Sequence, residues 1–234
     1  MLHIDNVSKR FGGLVANQDV SFDVEAGQIV GLIGPNGAGK TTLFNCIAGY
    51  YPPSSGDIRL GDARIAGLRP EQCAKAGIGR TFQIARTFIS MTAQQNVMVG
   101  TLLRDRSVRH ARVRADELLE FVDLKRCGDR PAGSLTISEQ RRLAVARALA
   151  TRPRVLLMDE VMAGLNPSEV REAVAVVLRI RDQGIACLIV EHVLEGIMPI
   201  ADRIVVLDYG RKIADGTPTE VSSDPVVIAA YLGN

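Results

Sequence analysis

The sequence predicts an α/β fold in which a core carries an antiparallel β subdomain and an inserted α-helical subdomain. Three observations predict it. Residues 28–33 (QIVGLI) read as a short buried strand, run into a glycine-rich loop, and lead to a helix on which Leu43 and Ile47, four apart, share one face. Later apolar runs at 155–158, 185–190 and 203–207 read as further buried strands of the kind a parallel sheet uses. Between about Ile84 and Gly133 the strand signals vanish, and Leu118, Leu119, Phe121 and Val122 suit an amphipathic helix. The 234 residues thus divide into a core at 1–83 and 146–234 and a helical subdomain at 84–145, within one domain.

The elements follow in order. Residues 20–24 (VSFDV) alternate with period two, and with 57–66 they predict antiparallel strands flanking the loop unit. Residues 52–56 (PPSSG) are a connecting loop by composition. Residues 77–83 predict a short strand entering a loop, with Gln83 at its end. Arg104, Arg106, Arg109, His110, Arg112 and Arg114 form a basic run, read as a solvated helix face or loop. A helix opens near Leu135 and continues through Ala150, and Thr136 with Glu139 makes a capping-box pattern at its start. Asn166 and Pro167 start another helix, which Gly184 ends. Tyr209 and Gly210 turn the 203–207 strand back, and Thr217 with Glu220 caps a closing helix.

The loop Gly34, Pro35, Asn36, Gly37, Ala38, Gly39, Lys40, Thr41, Thr42 contains G-x-x-x-x-G-K-T. Glycines at 34, 37 and 39 let the backbone curl so that its N–H groups form an anion nest, and the following helix adds its positive end. Lys40 supplies a point charge for the β- and γ-phosphates, and the Thr41 hydroxyl is a hard oxygen ligand suited to Mg²⁺. Downstream, four apolar residues end in Asp159 and Glu160, two carboxylates at the tip of a buried strand, where open α/β sheets build sites. Asp159 would hold Mg²⁺ and Glu160 would act as general base on the attacking water. Glu191 and His192 sit at the next strand tip, where His192 could contact the γ-phosphate. Phe11, beside Gly12 and Gly13, could stack on an adenine ring; read from that stretch alone, a half-buried aromatic is the plainer account.

Composition excludes several classes. Lysine and arginine total 28 against 26 acidic residues, a net charge of +2 that gives no push toward nucleic acid. Cys46, Cys73, Cys127 and Cys187 form no C-x-x-C pair and read as reduced cytosolic thiols, with no zinc site. The opening residues lack the apolar core of a signal peptide, and no apolar run nears the ~18 residues that span a bilayer. The expectation is a soluble chain whose membrane role comes through a partner.

The ordered set of aromatic, phosphate loop, glutamine, helical signature, Asp-Glu strand and histidine resembles the ATP-binding cassette ATPases over essentially the whole chain, and so implies a RecA-like P-loop NTPase core. Within them the chain is most similar to the ATPase subunits of branched-chain amino acid importers, through Arg80 to Gln83, Met91 and Thr92, residues 96–100, residues 139–143, residues 163–167 and residues 230–233. The resemblance implies that Phe11 stacks on adenine and that Gln83 senses Mg²⁺ and the γ-phosphate. It implies that residues 84–96 line the groove for a permease coupling helix and that His192 is the switch histidine. Ala163, Gly164, Leu165 and Asn166 would be the loop that meets the other subunit across the nucleotide-sandwich dimer. ATP and Mg²⁺ are the implied cofactors. The implied partners are a second ATPase subunit, integral permease subunits and, indirectly, a substrate-binding protein, at the cytoplasmic face of the inner membrane.

The signature Leu135, Thr136, Ile137, Ser138, Glu139 departs from the usual L-S-G-G-Q; the resemblance implies that it would act on the partner's nucleotide, and the departure favours a heterodimer with unequal sites. Ser138 adds bulk where glycine is usual, and the Glu139 carboxylate would repel phosphate unless it folds back onto its own helix. Val161 stands where proline is usual and Asn166 where aspartate is. Alternatives are the ATPase of a transporter for urea, other amino acids or lipopolysaccharide, and a weakly hydrolysing regulatory subunit.

Overall fold

The computed structural model describes residues 1–81, 87–104 and 107–232. Strands β1 (Leu2–Phe11) and β2 (Leu14–Val24) form a hairpin, and β3 (Ile29–Ile33) follows with every residue buried. Helix α1 (Lys40–Ile47) springs from the glycine-rich loop. Strands β4 (Ser55–Leu60) and β5 (Ala63–Arg64) complete a four-stranded antiparallel sheet of order β2-β1-β4-β5. After α2 (Pro70–Ala76) comes the edge strand β6 (Ile78–Arg80).

The helical stretch then contains α3 (Ala93–Thr101), α4 (Val108–Phe121), 3-10 turns at Lys125–Cys127 and Ala132–Ser134, and α5 (Ile137–Ala150). The chain returns through β7 (Val155–Asp159), α6 (Pro167–Asp182), β8 (Ala186–Val190), α7 (Leu194–Ile197), β9 (Arg203–Asp208) and β10 (Arg211–Gly216). It closes with α8 (Pro218–Ser223) and α9 (Pro225–Leu232).

The second sheet has the order β10-β9-β3-β8-β7-β6, parallel except for the β9–β10 hairpin. Its central strands are continuous apolar runs because both faces are covered. Side chains alternate by two: Ile29, Leu156, Met158, Cys187, Ile189, Ile204 and Val206 face the helices, and pack with Val97, Leu119, Leu143 and Ile180. Val30, Leu32, Val155, Leu157, Leu188, Val205 and Leu207 face the other way and pack with Phe44 and Ile47 of α1 and with Ile4, Phe22 and Ile58 of the antiparallel sheet.

Among the described residues no strand lies between Arg80 and Val155, as the vanishing strand signals predict. The amphipathic helix is longer than its clearest apolar stretch: it starts at Val108, nearly three turns before Leu118, behind Ser107, whose hydroxyl accepts from the His110 N–H. Arg109, His110, Arg112 and Arg114 therefore lie on α4. The helix ends at Phe121 with Val122 as its C-cap, and Asp123 just beyond takes φ 59°. Helix α5 runs unbroken through residue 145, and its Val145 shares one apolar cluster with the sheet. The helical stretch is thus joined to the core through a continuous helix.

Candidate nucleotide site

The loop is shaped by close approach. Gly34 has φ 147°, and a Cβ there would meet the Leu207 carbonyl oxygen of β9 at 2.0 Å. Gly39 caps α1 at φ 95°, where a Cβ would come 2.4 Å from the Ala16 carbonyl of β2. These two glycines press the loop between neighbouring strands, and Gly37 at φ 81° faces open space. Helix α1 begins with no side-chain cap and no acidic residue in its first turn, so its N-terminal N–H groups stay available to an anion. The Lys40 ammonium folds back over the loop and donates to Gly34 O at 2.6 Å and Pro35 O at 2.8 Å. Burial pushes its pKa down, against the pull of Glu160 and Asp159.

A cleft of about 550 Å³ opens over this loop, lined by Asn36, Gly37, Ala38, Gly39, Lys40, Thr41 and Thr42 on one side and by Glu160 and His192 across it. Leu14, Val15, Ala16, Tyr209 and Gly210 complete the wall. Phe11 is not part of that wall. Its ring is 41% exposed and packs edge-on against Tyr51, centroids 5.2 Å apart, with the Lys9 ammonium 4.9 Å above it. Gln83 lies outside the described residues.

Asp159 and Glu160 arrive together but point to different environments. Strands β7 and β8 pair in parallel with Asp159 opposite Val190, so their carboxyl ends finish level. Glu160 then takes φ 50° and donates its N–H to Val190 O, a left-handed turn that brings its Oε1 to 3.1 Å from His192 Nε2. Asp159 stays buried, its N–H donating to Thr81 Oγ1 at 3.2 Å and its Oδ2 at 3.5 Å from Arg80 Nη2. Burial raises the Asp159 pKa; Arg80 pulls it down without cancelling that shift, and Glu160 adds to it.

The signature stands apart from this chain's own cleft, at the start of α5. Thr136 caps the helix, its hydroxyl accepting from Glu139 N at 3.2 Å while Glu139 Oε2 accepts from Thr136 N at 2.8 Å. The carboxylate does fold back, as the capping-box pattern predicts. Leu135 is buried and Ile137 is 67% exposed. Ser138 is 5% exposed and lines a small internal cavity with Val161 and Leu165, so its residue is turned into the body. In the loop of Ala163, Gly164, Leu165 and Asn166, Gly164 takes φ 71°, and the Asn166 side chain caps α6 by accepting from Ser168 N and Glu169 N. An asparagine serves that cap as well as an aspartate does.

Several residues that position the site carry no signal in the residue pattern alone. Arg80 reaches both Asp159 and Asn45 Oδ1, the latter at 2.6 Å. Asn17, fully buried in β2, donates from Nδ2 to Gly39 O at 3.1 Å. Glu191, 1% exposed, accepts from Met162 N at 2.7 Å, and burial pushes its carboxyl up to about 7. Arg141 of α5 donates to Val161 O at 3.2 Å. Each is a polar residue whose partners only the folded chain reveals.

Comparison with known proteins agrees with this geometry. Residues 17–163 match the family described as ABC transporter, and residues 211–234 match the one described as Branched-chain amino acid ATP-binding cassette transporter. The chain is 42% identical to the high-affinity branched-chain amino acid transport ATP-binding protein BraF of Pseudomonas aeruginosa, covering 100% of this chain and 98% of that one. It is 40% identical, with the same coverage, to the protein LivG of Escherichia coli, which carries the same description. Its fold superimposes with TM-score 0.91 on the ADP conformation of MJ1267, an ATP-binding cassette of an ABC transporter, at 31% identity over 100% of this chain and 99% of that one. It matches the dimeric post-hydrolysis state of the cassette MJ0796, bound to ADP and Pi, at TM-score 0.84 and 25% identity, covering 93% of this chain and 99% of that one. The chain belongs to the ABC transporter family, as one of its ATP-hydrolysing cassettes.

Proposed function

We propose that this chain is the ATP-hydrolysing subunit of an importer for branched-chain or related amino acids, seated at the cytoplasmic face of the inner membrane against integral permease subunits and served indirectly by a substrate-binding protein. The observation that carries the hydrolytic role is the Glu160–His192 pair facing Lys40 across one cleft. The cargo rests on the full-length similarity to BraF and LivG and on the match of residues 211–234. Among the described residues no helix is long and apolar enough to cross a membrane, which suits a peripheral seat on a permease.

In this reading the triphosphate lies on the loop from Gly34 to Thr42, and Lys40 exchanges the Gly34 and Pro35 carbonyls for β- and γ-phosphate oxygens. Glu160 takes a proton from the water attacking the γ-phosphate in line, and His192 keeps that carboxylate oriented while offsetting charge on the transferred group. Thr41 and Asp159, with Gln83, are oxygen donors of the kind Mg²⁺ accepts, and the buried Asp159 carboxylate, only loosely met by Arg80, fits a cation beside it. When bound, Mg²⁺ offsets negative charge on the β- and γ-phosphates. Adenine stacks on Phe11, whose exposed ring stands at the β1–β2 turn close to the cleft residue Leu14.

Each site is completed by a second ATPase subunit, whose signature faces this chain's cleft, while Leu135, Thr136, Ile137, Ser138 and Glu139 face the partner's. Leu14, Tyr209 and Ile137, exposed at 66, 78 and 67%, are apolar surface that such a partner would cover. The altered signature favours a heterodimer. The helical stretch, 84–145, is the unit whose motion reaches the permease. Residues 84–96 would line the groove that receives the permease's coupling helix; within them Phe88 packs under Arg147, which borders a pocket of about 250 Å³ lined also by Tyr50, Ala74, Val99 and Gly100.

The test is reconstitution of the chain with its co-purifying subunits in vesicles loaded with ATP. Uptake of labelled leucine that needs both ATP and Glu160 is expected. Hydrolysis that no branched-chain amino acid stimulates would remove the cargo assignment and leave the ATPase.

A further inference from the structure

Glu139 poses a charge problem for any signature. A helix N-terminus attracts anions through its dipole and its open N–H groups, and a carboxylate in the first turn competes with an incoming phosphate for both. In α5 both carboxylate oxygens are already engaged. Oε2 accepts from Thr136 N, while Oε1 accepts from Arg130 Nη1 at 3.1 Å and from the Cys127 thiol at 3.3 Å. The first-turn N–H groups of Ile137 and Ser138 have no intrahelical acceptor, and neither Glu139 oxygen takes them.

Arg130 is itself held from several directions. Its Nη2 donates to Ser134 O at 2.8 Å and its Nη1 also reaches the Cys127 sulfur at 3.4 Å. Its backbone N–H donates to Cys127 O, and its carbonyl accepts from Ala93 N at the start of α3. Arg130 therefore joins the turn at Lys125–Cys127 and the loop before α5 through its guanidinium, and α3 through its carbonyl. The other two arginines of the α5 first half are committed elsewhere, Arg141 to Val161 O and Arg142 to Glu172. Burial pushes Glu139 up, but the Thr136 N–H, the Cys127 thiol and Arg130 together outweigh it and hold the carboxyl below its ordinary range.

We propose that Arg130 is a positioning residue for the signature: it holds the Glu139 carboxylate back against the 3-10 turn, so that the first turn of α5 still presents an anion-attracting end to the partner's nucleotide. This rests on the reading that the signature faces that nucleotide. It accounts for how a signature bearing a carboxylate remains compatible with a triphosphate, by an internal ion pair.

The experiment uses the complete complex of this chain with its partner ATPase and permease, reading the ATP concentration for half-maximal hydrolysis. Arg130→Gln is expected to raise that concentration about five- to ten-fold, most at low ionic strength, because an unpaired carboxylate then repels the phosphates. Arg130→Lys should keep most of the effect of arginine, and Arg130→Gln with Glu139→Gln should return the value to within about two-fold, since the charge to be neutralised is gone. A double variant no better than Arg130→Gln, or an Arg130→Gln complex with unaltered ATP dependence, overturns the proposal. Should Arg130→Gln fail to assemble, rescue of assembly by Glu139→Gln supports the same charge relation and lack of rescue overturns it. Ile137→Glu, at the 67% exposed position of the same first turn, distinguishes the underlying reading: if that added carboxylate leaves ATP dependence unaltered, the signature does not face a nucleotide, and the Arg130 proposal falls with it.

Discussion

Glu160 Oε1 and His192 Nε2 lie 3.1 Å apart because β7 and β8 run in parallel register from Val155 opposite Ala186 to Asp159 opposite Val190. Two segments far apart in sequence thus end level, and each places one functional group just past its last strand residue. Among the described residues Glu160 is also the one carboxylate lining the cleft, whereas Asp159 remains buried beside Arg80. Replacing Glu160 by glutamine keeps the shape and removes the proton acceptor. Hydrolysis should fall by about 10²–10⁴-fold while ATP binding persists, as measured by phosphate release and nucleotide titration on the reconstituted complex. A rate near that of the unsubstituted protein would remove Glu160 from the base role.

Lys40 makes two hydrogen bonds to its own loop and would trade them for phosphate. Charge-assisted hydrogen bonds of this kind contribute roughly 1.5–3 kcal/mol. Lys40→Ala should therefore weaken ATP binding by at least ~10-fold, read by equilibrium titration with a fluorescent ATP analogue. Near-normal affinity would contradict the placement of the phosphates on this loop.

Gly34 offers a stability test independent of ligand. A Cβ at this position would sit 2.0 Å from the Leu207 carbonyl oxygen, which is backbone and cannot rotate away. Gly34→Ala should destabilise the fold by more than ~4 kcal/mol, in the range reserved for strain that the core cannot absorb. Gly37→Ala, with open space around its Cβ, should cost much less in a urea melt although φ 81° disfavours it. Equal losses at the two positions would show that conformation, not contact, dominates.

Glu191 should make stability depend on pH. Its carboxyl is pushed by burial from 4.5 to about 7, against the pull of the Met162, Val193 and His192 N–H groups. Between those values the folded state binds more protons than the unfolded chain. The contribution of this group is therefore fully present below about pH 4.5 and is lost as pH rises through 7. Against Glu191→Gln, the unsubstituted protein should lose on the order of 3 kcal/mol of relative stability between pH 4.5 and pH 8. Urea denaturation at several pH values checks this, and a difference that is flat with pH would show that Glu191 is not buried as a neutral acid.

The sequence by itself determined the elements whose signals are local. The run from Gln28 to Thr42 declared strand, loop and helix because glycine tolerance, apolar period and a lysine at fixed spacing all lie within a few residues. The capping box of Thr136 and Glu139 and the Asn166–Pro167 helix start were legible for the same reason, since a cap is made by residues three apart. The Asp159–Glu160 pair was legible as an acidic strand end. What only the tertiary structure decided depends on which distant segments become neighbours. Strand order brings His192 to Glu160, burial turns Asn17 and Glu191 into bound polar groups, and Phe11 turns toward Tyr51. Arg130 reaches Glu139 only once the 3-10 turn at Ala132–Ser134 folds the intervening loop back onto α5. Periodicity and spacing record what a residue does along its own strand or helix. Desolvation and charge pairing depend on the atoms across the gap, and these are set by packing.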